Sequence, residues 1–364
     1  MSLLFEPAGI GNLELPNRLL RSATAERMAD PDGRPRPEMK ALWQELALGG
    51  VGMIISGHMF VHPSGKAHPE MTGIHSDEMI PALTKLTEAV HAAGGRVAVQ
   101  INHGGMQCSR QTVSQTIAPS AIDAPFLSRQ PRAMNVEEVQ TIIQAYAAAA
   151  RRAQEAGFDA VQIHGAHGYL ISQFLSPFTN RRRDAWGGPT VEDRLAFLRA
   201  VCEATRHEVG HDYPLFIKLG MMDGIDGGLT PEDGAKIAAA LEGMSLDAFE
   251  ISGGISGQES LNTRSRIRSE EDEAYFRPLA QRARPRTSLP IALVGGFRSR
   301  GVMEDVLQSG DADFISLSRP LIREPGLPNR LRDGSAARAT CTSCNDCWPK
   351  APGEGIGCHL PDAA

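Results

Sequence analysis

Eight short apolar runs punctuate the chain: Arg18–Ser22, Val51–Ser56, Arg96–Ile101, Asp159–Ile163, Pro214–Leu219, Leu246–Ser252, Pro290–Val294 and Ala312–Leu317. Between them, apolar residues recur at helical spacing, over Glu38–Ala47, Glu78–Ala93, Val136–Ala156, Val191–Val209, Pro231–Glu242, Glu271–Ala283 and Ser299–Gln308. Thr230-Pro231-Glu232-Asp233 is a helix-start signal, and Gly94-Gly95 and Gly157 are helix-stop signals. Strands that are apolar along their length are covered on both faces, as in a parallel sheet wrapped by helices. Eight such strand–helix units predict an α/β protein, a (β/α)8 TIM barrel. An open doubly wound sheet is the competitor, but no Gly-x-Gly-x-x-Gly turn follows the first strand.

The barrel is expected over residues 1–335, with a polar, cysteine-rich tail over 336–364. The stretch Asn102–Asn135, rich in Pro, Ser, Thr and Gln, is long for a connection and reads as a lid or binding loop. The 364 residues are 41% hydrophobic and 22% charged, which is a globular composition. A net charge of −6 without a basic block excludes nucleic acid as an expected partner. No apolar run approaches the ~20 residues that span a bilayer, and the first residues do not resemble a secretion signal. A cytoplasmic protein without a membrane partner is expected, and the isolated Cys108 and Cys202 are expected as reduced, partly buried thiols.

Candidate chemistry concentrates after the strands. His164-Gly165-Ala166-His167-Gly168-Tyr169 follows the fourth. His-x-x-His suits a metal, but the motif offers no third ligand. Two histidines beside a tyrosine suit donors to a substrate oxygen, with Tyr169 as a proton source. A buried core histidine is the plain alternative for either one. Gln100 and His103 follow the third strand. Lys218 interrupts the fifth; it either snorkels to the surface or is buried against a counter-charge, such as an anionic cofactor. Val294-Gly295-Gly296-Phe297 and Ser318-Arg319-Pro320 close the last two strands, where barrels often bind phosphate; two ordinary turns are the alternative.

These residues resemble the Old Yellow Enzyme family of FMN-dependent reductases, over residues 3 to about 330. The resemblance rests on Leu4-Phe5-Glu6-Pro7, Pro16-Asn17-Arg18, Val99–Gly105, Ile163–Pro177, Asn180–Gly188, Val294-Gly295-Gly296 and Ser318-Arg319-Pro320. It implies FMN at the barrel mouth, along Ser22, Ala23 and Thr24. Gln100 would bond the pyrimidine edge and Lys218 would face N1 and the C2 carbonyl. Gly295, Gly296, Ser318 and Arg319 would cradle the phosphate. It further implies reduction by NAD(P)H, then reduction of the C=C bond of an α,β-unsaturated carbonyl compound. In that reaction His164 and His167 would grip the carbonyl and Tyr169 would donate the proton. A homo-oligomer is implied as well. Three positions depart from the family pattern. Ala25 stands where a Thr or Cys is common, Glu26-Arg27 suggests a more polar pocket wall, and His58 replaces a small residue.

Cys341, Cys344, Cys347 and Cys358 have a metal-type spacing, for zinc or a [4Fe–4S] cluster, with free thiols as the alternative. The motif resembles the iron–sulfur motif of two-domain members of the family, 2,4-dienoyl-CoA reductase and trimethylamine dehydrogenase, with slightly shorter spacing. Electron relay through such a cluster implies a separate electron-transfer partner. It also implies a rival function, an FMN dehydrogenase, demethylase or dienoyl-type reductase. A phosphate-binding lyase or isomerase, and a non-catalytic flavin module, are more distant rivals.

Overall fold

The computed structural model describes residues 2–124, 127, 129–255, 261–351 and 353–361. Eight parallel strands form the centre: β1 (Leu19–Arg21), β2 (Met53–Ile55), β3 (Val97–Asn102), β4 (Ala160–Gly165), β5 (Leu215–Gly220), β6 (Ala248–Ser252), β7 (Ile291–Val294) and β8 (Phe314–Leu317). Each pairs with the next, and β8 pairs back onto β1 through Ile315 opposite Leu19, so the sheet closes. All eight expected strands are present, and the barrel expectation is borne out.

Strand alternation divides the interior into two layers. Leu20, Met53, Ile55, Ala98, Ala160, Phe216, Ala248, Ala292 and Phe314 fill the lower layer. A hairpin of Ala8–Ile10 against Leu13–Leu15 caps it with Ile10 and Leu15. Burial of each large apolar side chain here contributes roughly 1.5–3 kcal/mol. Two residues further along the strands come Ser22, Gln100, Gln162, Lys218, Glu250 and Ser316, all buried and polar. The strands are therefore not apolar throughout: the layer next to the mouth is polar. The other strand face, with Val99, Ile163, Ile217 and Ile251, packs beneath the helices.

The helices follow the expected order with two corrections. Val191–Val209 is two helices, Val191–Arg194 and Ala196–Val209. Glu271–Ala283 is helical only over Arg277–Ala283, after a single turn at Glu270–Asp272. Ala274 has φ +51 and breaks the run. Glu273 is turned instead to accept the Arg298 and Ser299 backbone N–H groups (2.7 and 2.8 Å) at the start of Arg300–Gln308.

The long loop after β3 carries two short paired strands, Ile117–Ala118 and Arg132–Ala133. Met106, Ala118 and Ile122 on this loop pack with Ile255. Beyond β8 come helices Arg319–Arg323 and Leu327–Asp333. The tail then folds back over the barrel mouth. Arg300 N–H donates to Ala337 O (2.9 Å), Ile356 N–H donates to Glu26 O (2.8 Å), and Cys341 joins the main core. Among the described residues no helix is long and apolar enough to cross a membrane.

Candidate active site

A pocket opens at the carboxyl ends of the strands, where barrels of this class carry their chemistry, with about 1270 Å³ of empty space that includes open solvent. Of the expected site residues, Ser22, Ala23, Thr24, Gln100, His164, His167, Tyr169, Lys218, Gly296, Ser318 and Arg319 line it. Gly295 does not line it. Its carbonyl accepts the Tyr275 N–H (3.1 Å), and its φ of +149 lets the chain turn into Gly296 at φ +76. A Cβ on Gly296 would lie 2.9 Å from the Tyr275 ring.

The pocket floor is a hydrogen-bonded chain. Lys218 Nζ donates to Ser22 Oγ (2.8 Å) and lies 2.9 Å from Glu250 Oε2. Ser22 Oγ donates to Glu250 Oε1 (2.7 Å), Gln162 Nε2 to Glu250 Oε2 (2.9 Å), and Gln100 Nε2 to Gln162 Oε1 (2.7 Å). Burial alone would raise the Glu250 carboxyl, but the Lys218 charge and the hydrogen bonds hold it below its ordinary value. This corrects the account of Lys218. The lysine is buried, and a protein carboxylate supplies its counter-charge without help from a cofactor.

The β4 motif forms one wall. His167 and Gly168 take left-handed φ values of +61 and +73. A Cβ on Gly168 would lie 2.7 Å from Ile255. The turn delivers Tyr169 to the start of helix Leu170–Leu175. A left-handed histidine is strained, and such strain collects at functional sites. The His164 ring stands 5.2 Å from that of His167 and 4.8 Å from that of Tyr169. The Ala166 N–H donates to His164 Nδ1 (3.3 Å), which leaves the proton of neutral His164 on Nε2. His167 Nε2 bonds Ser252 Oγ (2.7 Å). Burial, then neighbouring His167, His58 and Lys218, push His164 well below its ordinary pKa; burial and Lys218 push His167 down to about 3. Both are neutral donors near pH 7. Burial pushes Tyr169 up to about 12, so it keeps its proton.

His58 belongs to this wall. Its ring is 4.9 Å from Tyr169, and its Nδ1 is 2.8 Å from Asn102 Nδ2. Ala25 lines the pocket, but Glu26 and Arg27 do not, against the expectation of a more polar wall. The Glu26 carboxylate is buried beneath it, accepting from Arg21 (2.8 Å), Trp43 Nε1 (3.2 Å) and the Gly57 N–H (3.0 Å). Arg27 stacks on Trp348, 5.3 Å from the ring centre.

The remaining wall comes from the tail. Ser343, Asn345, Cys347, Trp348 and Ile356 line the pocket. Arg319 Nη1 donates to Arg264 O (2.8 Å) and to Asn345 Oδ1. Cys341 and Cys347 are buried and Cys344 is exposed. Burial, then the three other tail thiols, push Cys347 up to about 11. Even so, among the described residues no three His, Cys, Asp or Glu side chains stand close enough to hold a metal ion. The expected metal site is therefore not preformed. Cys108 and Cys202 are buried, as expected of isolated thiols.

Ser316 Oγ is buried at the pocket and, among the described residues, has no hydrogen-bond partner. Unmet polar capacity there, with Gly296, Ser318 and Arg319 on the β7–β8 arc and Gln100, Lys218 and Ser22 at the floor, fits FMN. The cofactor needs a phosphate site and a polar ring edge.

Fold and site together define a parallel (β/α)8 barrel with a polar-lined pocket at the carboxyl ends of its strands. The chain belongs to the NADH:flavin oxidoreductase / NADH oxidase family, whose pattern matches residues 3–337. It is 34% identical over 346 residues to an NADH oxidase of Thermoanaerobacter brockii, covering 94% of this chain and 52% of that protein. It is 33% identical over 323 residues to an NADPH dehydrogenase of Bacillus subtilis (strain 168), covering 88% and 92%. The structure of an Old Yellow Enzyme homologue from Zymomonas mobilis superposes with a TM-score of 0.80 at 27% identity, covering 94% of this chain and 96% of that one. The chain spans about half the length of some curated relatives, 52% and 51% of two of them. The resemblance to the Old Yellow Enzyme family is borne out.

Proposed function

We propose that this chain is an FMN-dependent, NAD(P)H-linked reductase of the C=C bond in α,β-unsaturated carbonyl compounds. One observation carries the reading: two neutral histidines and a protonated tyrosine share one wall of a pocket whose floor carries a buried lysine. When bound, FMN supplies the hydride, taken from NAD(P)H and passed to the alkene.

The protein's own residues do the rest. Gln100, Ser22 and Lys218 would bind the polar edge of the ring, and Gly296, Ser318 and Arg319 the phosphate. His164 Nε2–H, together with His167, donates to the substrate carbonyl and stabilises the negative charge that grows there as hydride arrives at the β-carbon. Neutral imidazoles suit this role, because an imidazolium would have to be desolvated in a buried wall. Tyr169 holds a proton at its phenol oxygen for the α-carbon. The tail and the His58 loop narrow access for water.

Two measurements test this. Purified protein should take up one FMN per chain, and Tyr169→Phe should leave flavin reduction by NAD(P)H intact while slowing cyclohexenone reduction by about 10²–10⁴. Equal loss in both half-reactions defeats the assignment.

A second reading keeps the FMN site and adds electron exchange through Cys341, Cys344, Cys347 and Cys358. It is favoured by the charge effect of the three other tail thiols on Cys347 and by Cys347 lining the pocket. Iron or zinc content after anaerobic purification decides it; absence of both removes the reading.

A further inference from the structure

Glu250 lies buried behind the pocket lining, its charge opposes that of the lysine, and the chemistry above makes no use of it. Lys218 and Glu250 stand directly opposite on β5 and β6. They are 3% and 0% exposed. Both carboxylate oxygens are held, one by Ser22 and one by Gln162 and Lys218. A carboxylate so fixed, 2.9 Å from the ammonium, turns an isolated positive charge into a dipole for anything a few ångströms beyond. Buried pairs of this kind are expensive to build, which leaves their retention to be explained by what they do.

We propose that Glu250 is a positioning residue that pairs with Lys218 and balances its charge toward the flavin, holding the cofactor's reduction potential below the value that an unbalanced lysine would set. The proposal rests on the FMN reading. NAD(P)H gives up a hydride, two electrons and one proton, and leaves as NAD(P)+. The ring that accepts it gains one negative charge. A bare Lys218 would favour that charge strongly, and the pair favours it weakly. Charge balance then keeps the reduced site a stronger hydride donor to the alkene.

The groups facing Lys218 are Glu250 from β6, Ser22 from β1, and His164 and His167 from β4 and its loop. The histidines are neutral near pH 7, so Glu250 sets the balance.

The test is equilibration of holoenzyme FMN with a reference dye at pH 6, with FMN stoichiometry and melting temperature measured on the same samples. Glu250→Gln should raise the reduced-to-oxidised ratio at pH 6 at least tenfold over the parent, about 30 mV for two electrons. Glu250→Asp, which keeps the carboxylate but draws it back, should shift the same way by less, and carries the test if Glu250→Gln does not fold. An unmoved or lowered potential at pH 6, with FMN bound one per chain, overturns the proposal alone. A parent protein that takes up no FMN ends both the function reading and this one.

Discussion

Replacing Lys218 by Met would leave the Glu250 carboxylate buried without its counter-charge. Breaking a buried pair by removing one partner costs about 3–5 kcal/mol. Ser22 and Gln162 would still donate to the two carboxylate oxygens, so the lower end, about 3 kcal/mol, is expected at pH 8. The loss has a definite pH dependence. In the parent, Glu250 sits below its ordinary pKa, so its contribution is present above the unfolded value and fades as pH falls. In Lys218→Met the order reverses. The folded pKa rises above the unfolded ~4.3, because the carboxyl is buried with no cation beside it. Stability is then highest below about pH 4 and lost as pH rises through the raised folded value. Urea unfolding of the apoprotein at pH 5 and pH 8 reads this directly, with the slope against urea confirming that the same surface unfolds. Lys218→Met should lie nearer the parent at pH 5 than at pH 8, where it is weaker by about 3 kcal/mol. The double variant Lys218→Met with Glu250→Leu should recover most of the loss, since packed apolar side chains commonly replace buried pairs at little cost. An equal loss at both pH values, or less than about 1 kcal/mol at pH 8, would refute the reasoning.

Two further outcomes follow from other buried groups. His164→Ala removes a buried neutral donor and should weaken binding of p-hydroxybenzaldehyde to the oxidised flavin site about ten- to a hundredfold, read as a smaller long-wavelength absorbance change on titration; unchanged affinity contradicts the carbonyl-grip assignment. Burial pushes Asp223, which accepts the Leu229 N–H (2.7 Å), up to about 6. A raised carboxyl stabilises the fold below its unfolded pKa and loses that contribution as pH rises through 6, so the parent should lose roughly 2 kcal/mol between pH 4 and 7 from this group. Asp223→Asn should flatten that part of the profile, and an unchanged slope rules the carboxyl out.

The barrel was legible because its signal is repeated eight times: a short apolar run, a cap, an amphipathic segment. Lys218 was legible as a polar residue in an apolar strand, and Gln100 as a polar residue at a strand end. Glu250 and Gln162 carry the same signal, one polar residue just inside the carboxyl end of a strand, and were passed over because each strand was judged by its apolar majority. The pattern appears when β3, β4, β5 and β6 are aligned at their ends: Gln100, Gln162, Lys218 and Glu250 occupy one layer. Local signals also misled. Glu271–Ala283 has helical composition throughout, but the left-handed Ala274 turns Glu273 to a task 25 residues away, capping Arg298 and Ser299. The tail wall was illegible for a different reason. No local pattern shows that Asn345 meets Arg319 or that Ile356 meets Glu26, since those contacts depend on the closed barrel bringing distant segments together.

That last arrangement makes the pocket a seam between the two ends of the chain. Residues 22–25 face Ser343, Asn345, Cys347, Trp348 and Ile356 across it, and β1 completes its own pairing only against β8. The site is therefore a late product of folding, assembled from contacts of long sequence separation after the local strand–helix units have formed. A nick or truncation in the tail would leave the barrel's apolar lower layer whole and remove one wall of the cofactor chamber. Loss of the tail would thus reach the pocket wall directly, and the main core only where Ala339 and Cys341 join it.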